Sequence, residues 1–359
     1  MLDGKKIIAK LKIYGGLCII MNLRVLIPII LVFLSFLNAQ LSASDAQLPT
    51  LNSTSTLGDF SQYHSYNSTN SMVTDIYNLQ TNFPNLVKVY KIGKSLEQRD
   101  IFALKITSNA QIENRSKPSI LFESNTHARE WLGVELSLYL AHTLVENYHT
   151  NTTIRTLVDE NNIYIIPIAN PDGRVYDGGG NDSNDPTNVN GWRKNKRDNN
   201  NNGVFEENID GVDLNRNYDT HFGPPGCSTN PADQDYCGLY PFSEPESSAM
   251  RDFSVNITPT IAISYHTYGK YILYPWGYAN VDAPDILWFT TTGNKLNSLI
   301  KNSAGSSKAA YTVCAPPAPG CLYAASGTTM DWFYEKLNAL SFTFELYPSF
   351  SDGVDGFHP

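Results

Sequence analysis

The stretch Ser119-Ile120-Leu121-Phe122-Glu123-Ser124-Asn125-Thr126-His127-Ala128-Arg129-Glu130-Trp131 opens on a short strand-like run and feeds a helix candidate spanning Trp131–Tyr148. Strand-like runs recur at Val87–Ile92, Ile101–Ile106, Ile163–Ile168, Ile261–Tyr265 and Ser341–Leu346. Several are continuously apolar rather than alternating, as expected for strands buried on both faces. Further helix candidates lie at Met72–Asn82, Pro245–Val255 and Pro284–Asn302. Interleaved strands and helices predict an α/β fold, a central mixed and largely parallel twisted sheet flanked by helices. With no internal repeat and no Pro-rich linker after residue 62, one domain over residues 63–359 is expected.

Composition narrows the function classes. The chain has 359 residues, of which 42% are hydrophobic, so whole-chain disorder is excluded. Its 26 basic and 35 acidic side chains give a net charge of −9, the wrong sign for a phosphate-backbone binder, and no nucleic-acid partner is expected. Arg24, the apolar run Val25–Leu37 and the small-residue stretch that follows describe a secretory signal peptide. The run is too short for a comfortable membrane span, which needs about 20 apolar residues. Residues 1–44 are therefore read as a leader, its true start possible at Met21, and 45–62 as a spacer. Six Asn-x-Ser/Thr sequons (Asn52, Asn67, Asn114, Asn151, Asn181, Asn256) agree with export. The pairs Cys227/Cys237 and Cys314/Cys321 would each close a short loop in an oxidising compartment. Asp198–Gly203 has the alternating oxygens of a calcium loop, but position twelve is Ile209 rather than Glu; a solvated insertion is the plainer reading.

No Gly-x-Ser-x-Gly elbow, phosphate-binding glycine loop or His-Glu-x-x-His occurs. His127 and Glu130, three apart, can converge on one cation, and imidazole with carboxylate suits zinc. Alone that spacing is common and equally suits a polar surface. The other segments strengthen it. A strand ends at His266, where it can present a third ligand; Asn215 and Arg216 stand side by side, a fork suited to a carboxylate; Glu345 is a lone acid in an apolar strand, costly unless compensated.

The segments Asn125–Trp131, Asn170–Gly173, Gly191–Lys194, Gly211–Tyr218, Tyr265–Tyr268, Tyr323–Gly327 and Phe342–Leu346, in that order, resemble the zinc metallocarboxypeptidases of the pancreatic A/B type. The resemblance covers about Tyr63 to Pro359. It implies one zinc ion held by His127, Glu130 and His266, with Glu345 as proton acceptor and donor and Arg193 stabilising an oxyanion. Asn215 and Arg216 would fix the terminal carboxylate of a peptide or protein substrate, with Tyr323 closing over it and Arg129 assisting. Leu273, Gly277, Ala318, Ala325, Met330 and Thr343 would line the side-chain pocket. Basic-specific relatives carry Asp where Met330 stands, so apolar or aromatic terminal residues are expected. A basic-specific enzyme and a non-catalytic peptide-binding relative are the alternatives. A monomer without a stable membrane anchor is expected, and the leader, sequons and cysteine pairs predict secretion, with a lysosome-like lumen as the alternative. Two departures are expected: too few residues before the matching region for a folded prosegment, and an end at Pro359 where relatives continue into a final helix.

Overall fold

The computed structural model describes residues 62–300 and 311–359; the leader, and all of the spacer but Gln62, lie outside them. The strands are β1 (Val87–Lys94), β2 (Asp100–Ile106), β3 (Ser119–Ser124), β4 (Asn162–Ile166), β5 (Ile261–His266), β6 (Tyr271–Leu273), β7 (Thr312–Cys314) and β8 (Leu340–Glu345). The helices are α1 (Met72–Asn82), α2 (Leu132–Glu146), α3 (Thr152–Glu160), α4 (Pro171–Asp177), α5 (Pro245–Ile257), α6 (Ile286–Asn297) and α7 (Thr329–Leu337). The eight strands among the described residues form one mixed sheet in the order β1-β2-β4-β3-β5-β8-β6-β7. Its centre, β4-β3-β5-β8, is parallel throughout. β1 and β2 extend one side antiparallel; on the other, β6 runs antiparallel to β8 and β7 parallel to β6.

The apolar runs explain this arrangement. Every residue of β3, β4 and β5 is buried, so alternate side chains must find cores on opposite faces. Ile120, Phe122, Ile261 and Ile263 join Val134, Leu138, Ala141 and Val145 of α2 in one core. Leu121 and Ala262 join Met250 of α5 and Trp332 and Phe333 of α7 in the other. The flanking helices carry local start signals. Ser71 caps α1 by accepting the Thr74 N–H, and that helix buries Met72, Ile76 and Leu79, a stripe of period near four. Thr328 caps α7 by accepting the Asp331 N–H at 3.3 Å, and Asn338, with φ 55°, ends it. The three-residue strands β6 and β7 and the helices α3, α4 and α7 extend the set anticipated from the sequence.

Both cysteine pairs, Cys227–Cys237 and Cys314–Cys321, are disulfide-bonded. In the Asn-rich loop, the Asp198, Asn200 and Asn202 carboxylate or amide oxygens accept backbone N–H groups of residues 202–204, so its oxygens serve its own turns. Among the described residues no helix is long and apolar enough to cross a membrane.

A buried charge cluster fastens α1 to α2. His142 is 4% exposed, with Nε2 3.0 Å from Asp75 of α1 and Nδ1 2.9 Å from Glu146. Burial alone would lower the imidazole pKa, but the two carboxylates outweigh it and raise it to about 9. Because the folded value lies above the unfolded one, this stabilisation is complete below about pH 6.5 and is lost as pH rises through 9. A shift of that size corresponds to about 3 kcal/mol. Denaturant unfolding of the native chain and of His142→Asn should differ clearly at pH 6, with the gap shrinking by pH 10. A pH-independent gap would refute the assignment.

Candidate active site

Parallel strands that stop together present their carboxyl ends as one platform. Here β3, β5 and β8 lie side by side, with Ser124 paired to Tyr265 and His266 paired to Glu345. His127 and Glu130 follow β3 in the turn that enters α2; His266 and Glu345 are the last residues of β5 and β8. Gly133, in the first turn of α2, lets the helix approach closely: a Cβ there would lie 3.0 Å from the Ser124 Cβ and 3.2 Å from the Tyr265 Cβ.

The three expected metal ligands meet in the interior. His127 Nδ1 lies 2.8 Å from Glu130 Oε1, His266 Nδ1 lies 2.8 Å from Glu130 Oε2, and the two Nδ1 atoms are 3.0 Å apart. Among the described residues this is the one group of three such side chains whose donor atoms converge on a common point. The far nitrogens settle the tautomers. His127 Nε2–H donates to Asp213 Oδ1 at 3.1 Å. His266 Nε2–H donates to Ser264 Oγ at 3.0 Å, and the Ser264 hydroxyl donates in turn to the buried carboxylate of Glu123. Glu123 is further fixed by the Thr126 hydroxyl at 2.7 Å. Both Nδ1 atoms are thereby left as lone-pair donors facing a carboxylate with no proton of their own between them. That donor set fits a zinc ion, whose ligands at about 2.0–2.1 Å stand about 3.3 Å apart in a tetrahedron.

The remaining predicted residues border the same cavity of about 290 Å³: Arg129, Arg193, Asn215, Arg216, Tyr323, Met330 and Glu345. Arg193 spends Nε and Nη2 on Asp213 Oδ2 (3.0 and 2.7 Å), leaving Nη1 4.0 Å from Glu130. Asn215 offers Oδ1 to the Thr329 N–H at 2.9 Å, and its amide nitrogen stands 3.4 Å from His266 Nε2. Arg216 donates Nη1 to the Asn215 carbonyl at 2.8 Å, while its buried Nε has no hydrogen-bond partner among the described residues. Tyr323 is 63% exposed, its ring centroid 5.9 Å from the Arg216 guanidinium. Gly327, at φ 64°, allows this segment to lie on the Arg216 carbonyl, which a side chain would strike. Arg129 reaches Gly191 O at 3.2 Å and stacks on Phe357 at 4.3 Å.

Charge in the site is balanced locally. Burial would raise the Asp213 carboxyl, yet Arg193, His127 and Arg216 hold it well below the ordinary range. Burial pushes the Glu345 carboxyl up to about 7 despite the pull of His266, with the Glu130 charge adding to the rise. At the apolar end, Leu273, Gly277, Ala325, Met330 and Thr343 line the cavity as anticipated. Ala318 does not; Pro316, within the disulfide-closed loop, and Leu322, just after it, stand there instead. Asp331 turns away from the lining, accepting the Gly277 N–H (2.9 Å) and Tyr278 N–H (3.2 Å). Asp213, Ser264 and Glu123 lay inside or beside the motifs without an assigned role; only the fold shows what they hold.

A buried two-histidine, one-carboxylate centre at the carboxyl ends of a mixed α/β sheet has the three-ligand form of a catalytic zinc site. A family profile described as zinc carboxypeptidase matches residues 72–359, and the chain belongs to that family. Carboxypeptidase A4 of Mus musculus is 30% identical over 292 residues, covering 80% of this chain and 64% of its own length. Carboxypeptidase B of Helicoverpa zea is 32% identical over 278 residues, covering 77% and 61%. The chain thus spans under two thirds of these relatives. Among solved structures, the carboxypeptidase A from Helicoverpa armigera superimposes with a TM-score of 0.70 at 30% identity, covering 95% of this chain and 76% of that one.

The centre makes a measurable claim. The chain should bind one zinc ion, and zinc should raise its melting temperature. His266→Ala should abolish stoichiometric binding, and Ser264→Ala should weaken affinity roughly 10–100-fold by freeing the imidazole. Competition against a chelator reads both; unchanged affinity in Ser264→Ala would show that the Glu123–Ser264–His266 chain does not orient the ligand.

Proposed function

We propose that the chain is a zinc-dependent exopeptidase that hydrolyses the C-terminal peptide bond of peptides and proteins and favours apolar or aromatic terminal residues. The observation that carries this reading is the meeting, in one cavity, of the His127–Glu130–His266 centre, Glu345 and an arginine with a buried, unpartnered Nε. An endopeptidase has no use for that arginine; a free carboxylate does.

Zinc, when held by His127, Glu130 and His266, supplies Lewis acidity, polarising a carbonyl and lowering the pKa of water to about 7. The chain's own groups do the rest. Arg216, with the Asn215 amide, grips the terminal carboxylate and sets the last peptide bond over the centre. Tyr323, exposed at the rim, closes over the bound residue. Glu345 takes a proton from the attacking water and passes it to the departing amine, a transfer suited to a carboxyl tuned to about 7. Arg193, locked by Asp213, holds Nη1 where negative charge grows on the carbonyl oxygen, so no reorganisation is needed as it forms. An internal peptide bond offers nothing to Arg216 and is left uncut.

The preference rests on Met330. Its methyl would lie 3.4 Å from a Cβ built on Gly277, so the pocket ends in apolar surface, where an unpaired Lys or Arg cation would be costly. Export to an oxidising compartment is supported by the two disulfides and by the exposure of Asn67, Asn114, Asn151, Asn181 and Asn256, the sequons among the described residues.

Release of Phe and of Arg from blocked dipeptides, with chelator and zinc add-back, tests the reading. Phe release should dominate, stop with chelator and return with zinc. Preferred Arg release would leave the chemistry and overturn the pocket assignment. Glu345→Gln should lower kcat by roughly 10²–10⁴ while retaining zinc. Met330→Asp should raise the Arg-to-Phe ratio at least about tenfold, since a buried carboxylate gains a partner only with a cationic side chain.

A further inference from the structure

We propose that the Cys314–Cys321 disulfide is a positioning device for substrate binding: it holds Leu322 and Tyr323 in place before the terminal residue of the substrate arrives. The proposal rests on the exopeptidase reading above.

The two cysteines end a stretch that is fastened on one side only. Cys314 is the last residue of β7, paired with Leu273 of β6, and its carbonyl accepts the Tyr274 N–H at 3.3 Å. Cys321 has no such tie. Among the described residues, the backbone N–H groups of residues 315–324 make two hydrogen bonds, both local: Ala318 to Ala315 O and Cys321 to Ala318 O, each at 2.9 Å. Pro316, Pro317 and Pro319 have no N–H to give. The next attachment to the body of the protein comes at Ala325, whose N–H donates to Gly277 O at 2.8 Å. The disulfide is therefore the tie that carries the position of β7 across to Cys321, directly before Leu322 and Tyr323.

What hangs on that tie faces the substrate. Leu322 and Tyr323 line the cavity that holds Glu345 and Arg216. Pro316 lines it too, but it is buried, and Ala315 beside it packs on the core, so the start of the loop has support of its own. Leu322 is only half-buried and Tyr323 is 63% exposed, so packing holds neither firmly. The Arg216 guanidinium stands 5.9 Å from the Tyr323 ring, at the outer reach of a cation–π contact. Side chains ordered in advance spare the bound complex the entropy of immobilising them. Neither cysteine lines the cavity, so the bond acts on binding and not on the chemical step.

The test uses the zinc-loaded chain and whichever blocked dipeptide it cleaves best. Three forms are compared: the native chain, the double variant Cys314→Ala/Cys321→Ala, and native protein opened with a phosphine reductant and capped with iodoacetamide, which needs no refolding. Cys314 and Cys321 are half-buried, whereas Cys227 and Cys237 are 5% and 1% exposed, so the reductant meets the first pair more readily; peptide mapping identifies the capped pair. Rates are taken per bound zinc, so a loss of folded protein leaves them unmoved. Opening the bond should raise KM about tenfold, the cost of ordering two side chains on binding, and change kcat less than about twofold. In Tyr323→Ala, where only Leu322 is left to be held, the same opening should raise KM about threefold. An unmoved KM, or the full tenfold rise retained in Tyr323→Ala, overturns the inference and leaves the exopeptidase reading standing. If the native chain cleaves no blocked dipeptide, the exopeptidase reading falls and takes this inference with it.

Discussion

The site depends on the register between β5 and β8. Their parallel pairing runs residue for residue from Ile261 opposite Leu340 to His266 opposite Glu345. Side chains alternate along a strand, so a slip of one residue would send His266 and Glu345 to opposite faces of the sheet. The buried pairs along that ladder forbid the slip: Ile263 beside Phe342 and Tyr265 beside Phe344 pack into the same core as α2. A metal ligand and a carboxylate of raised pKa are thus held side by side by apolar contacts that belong to neither. Strand packing fixes the coarse position, and hydrogen bonds then set the angle of each ring.

A second constraint is electrostatic economy around Asp213. One oxygen accepts from His127 and the other receives the Arg193 fork. The same carboxylate therefore orients a metal ligand, fixes its tautomer and aims a guanidinium, and it loses its own burial penalty in doing so. Anything that moves Asp213 moves both partners together. The Glu123–Ser264 pair does the equivalent for His266 alone, which makes the two imidazoles independent in their support although they share Glu130.

Much of this was legible in the sequence, for a physical reason. Strands buried on both faces leave continuous apolar runs, and the runs at β3, β4, β5 and β8 were visible as such. Ligands that must follow a strand end or enter a helix keep fixed local spacing, which made His127, Glu130 and His266 readable. What escaped lacks local periodicity. β6 and β7 have three residues each, too few for a pattern, and exist because β8 offers β6 an edge to pair with. The helix α7, Thr-Met-Asp-Trp-Phe-Tyr-Glu-Lys-Leu, is rich in aromatics that favour strands in isolation and is helical because its Trp and Phe fill the core beneath β8. Asp213 is 86 residues from the histidine it holds, and Ser264 is 141 from Glu123, so no local spacing encodes either contact. In the irregular stretch around the Cys314–Cys321 link, Pro316 and Leu322 line the cavity where Ala318 was expected, and no periodicity in the sequence marks that choice.

Met330 and Asp331 show how finely the fold divides labour. They are consecutive in the first turn of one helix, about 100° apart around its axis. Met330 faces the cavity; Asp331 accepts two backbone N–H groups at Gly277 and Tyr278 and so shapes the opposite wall. Burial raises the Asp331 carboxyl to about 7, and the two amides pull against that rise. Its bonds are used on the scaffold, and no charge is presented to a substrate. Of these two neighbours only Met330 reaches the cavity, while the acid beside it holds the Gly277–Tyr278 backbone that forms part of the wall. A single helical step separates a side chain that lines the cavity from one that holds its wall.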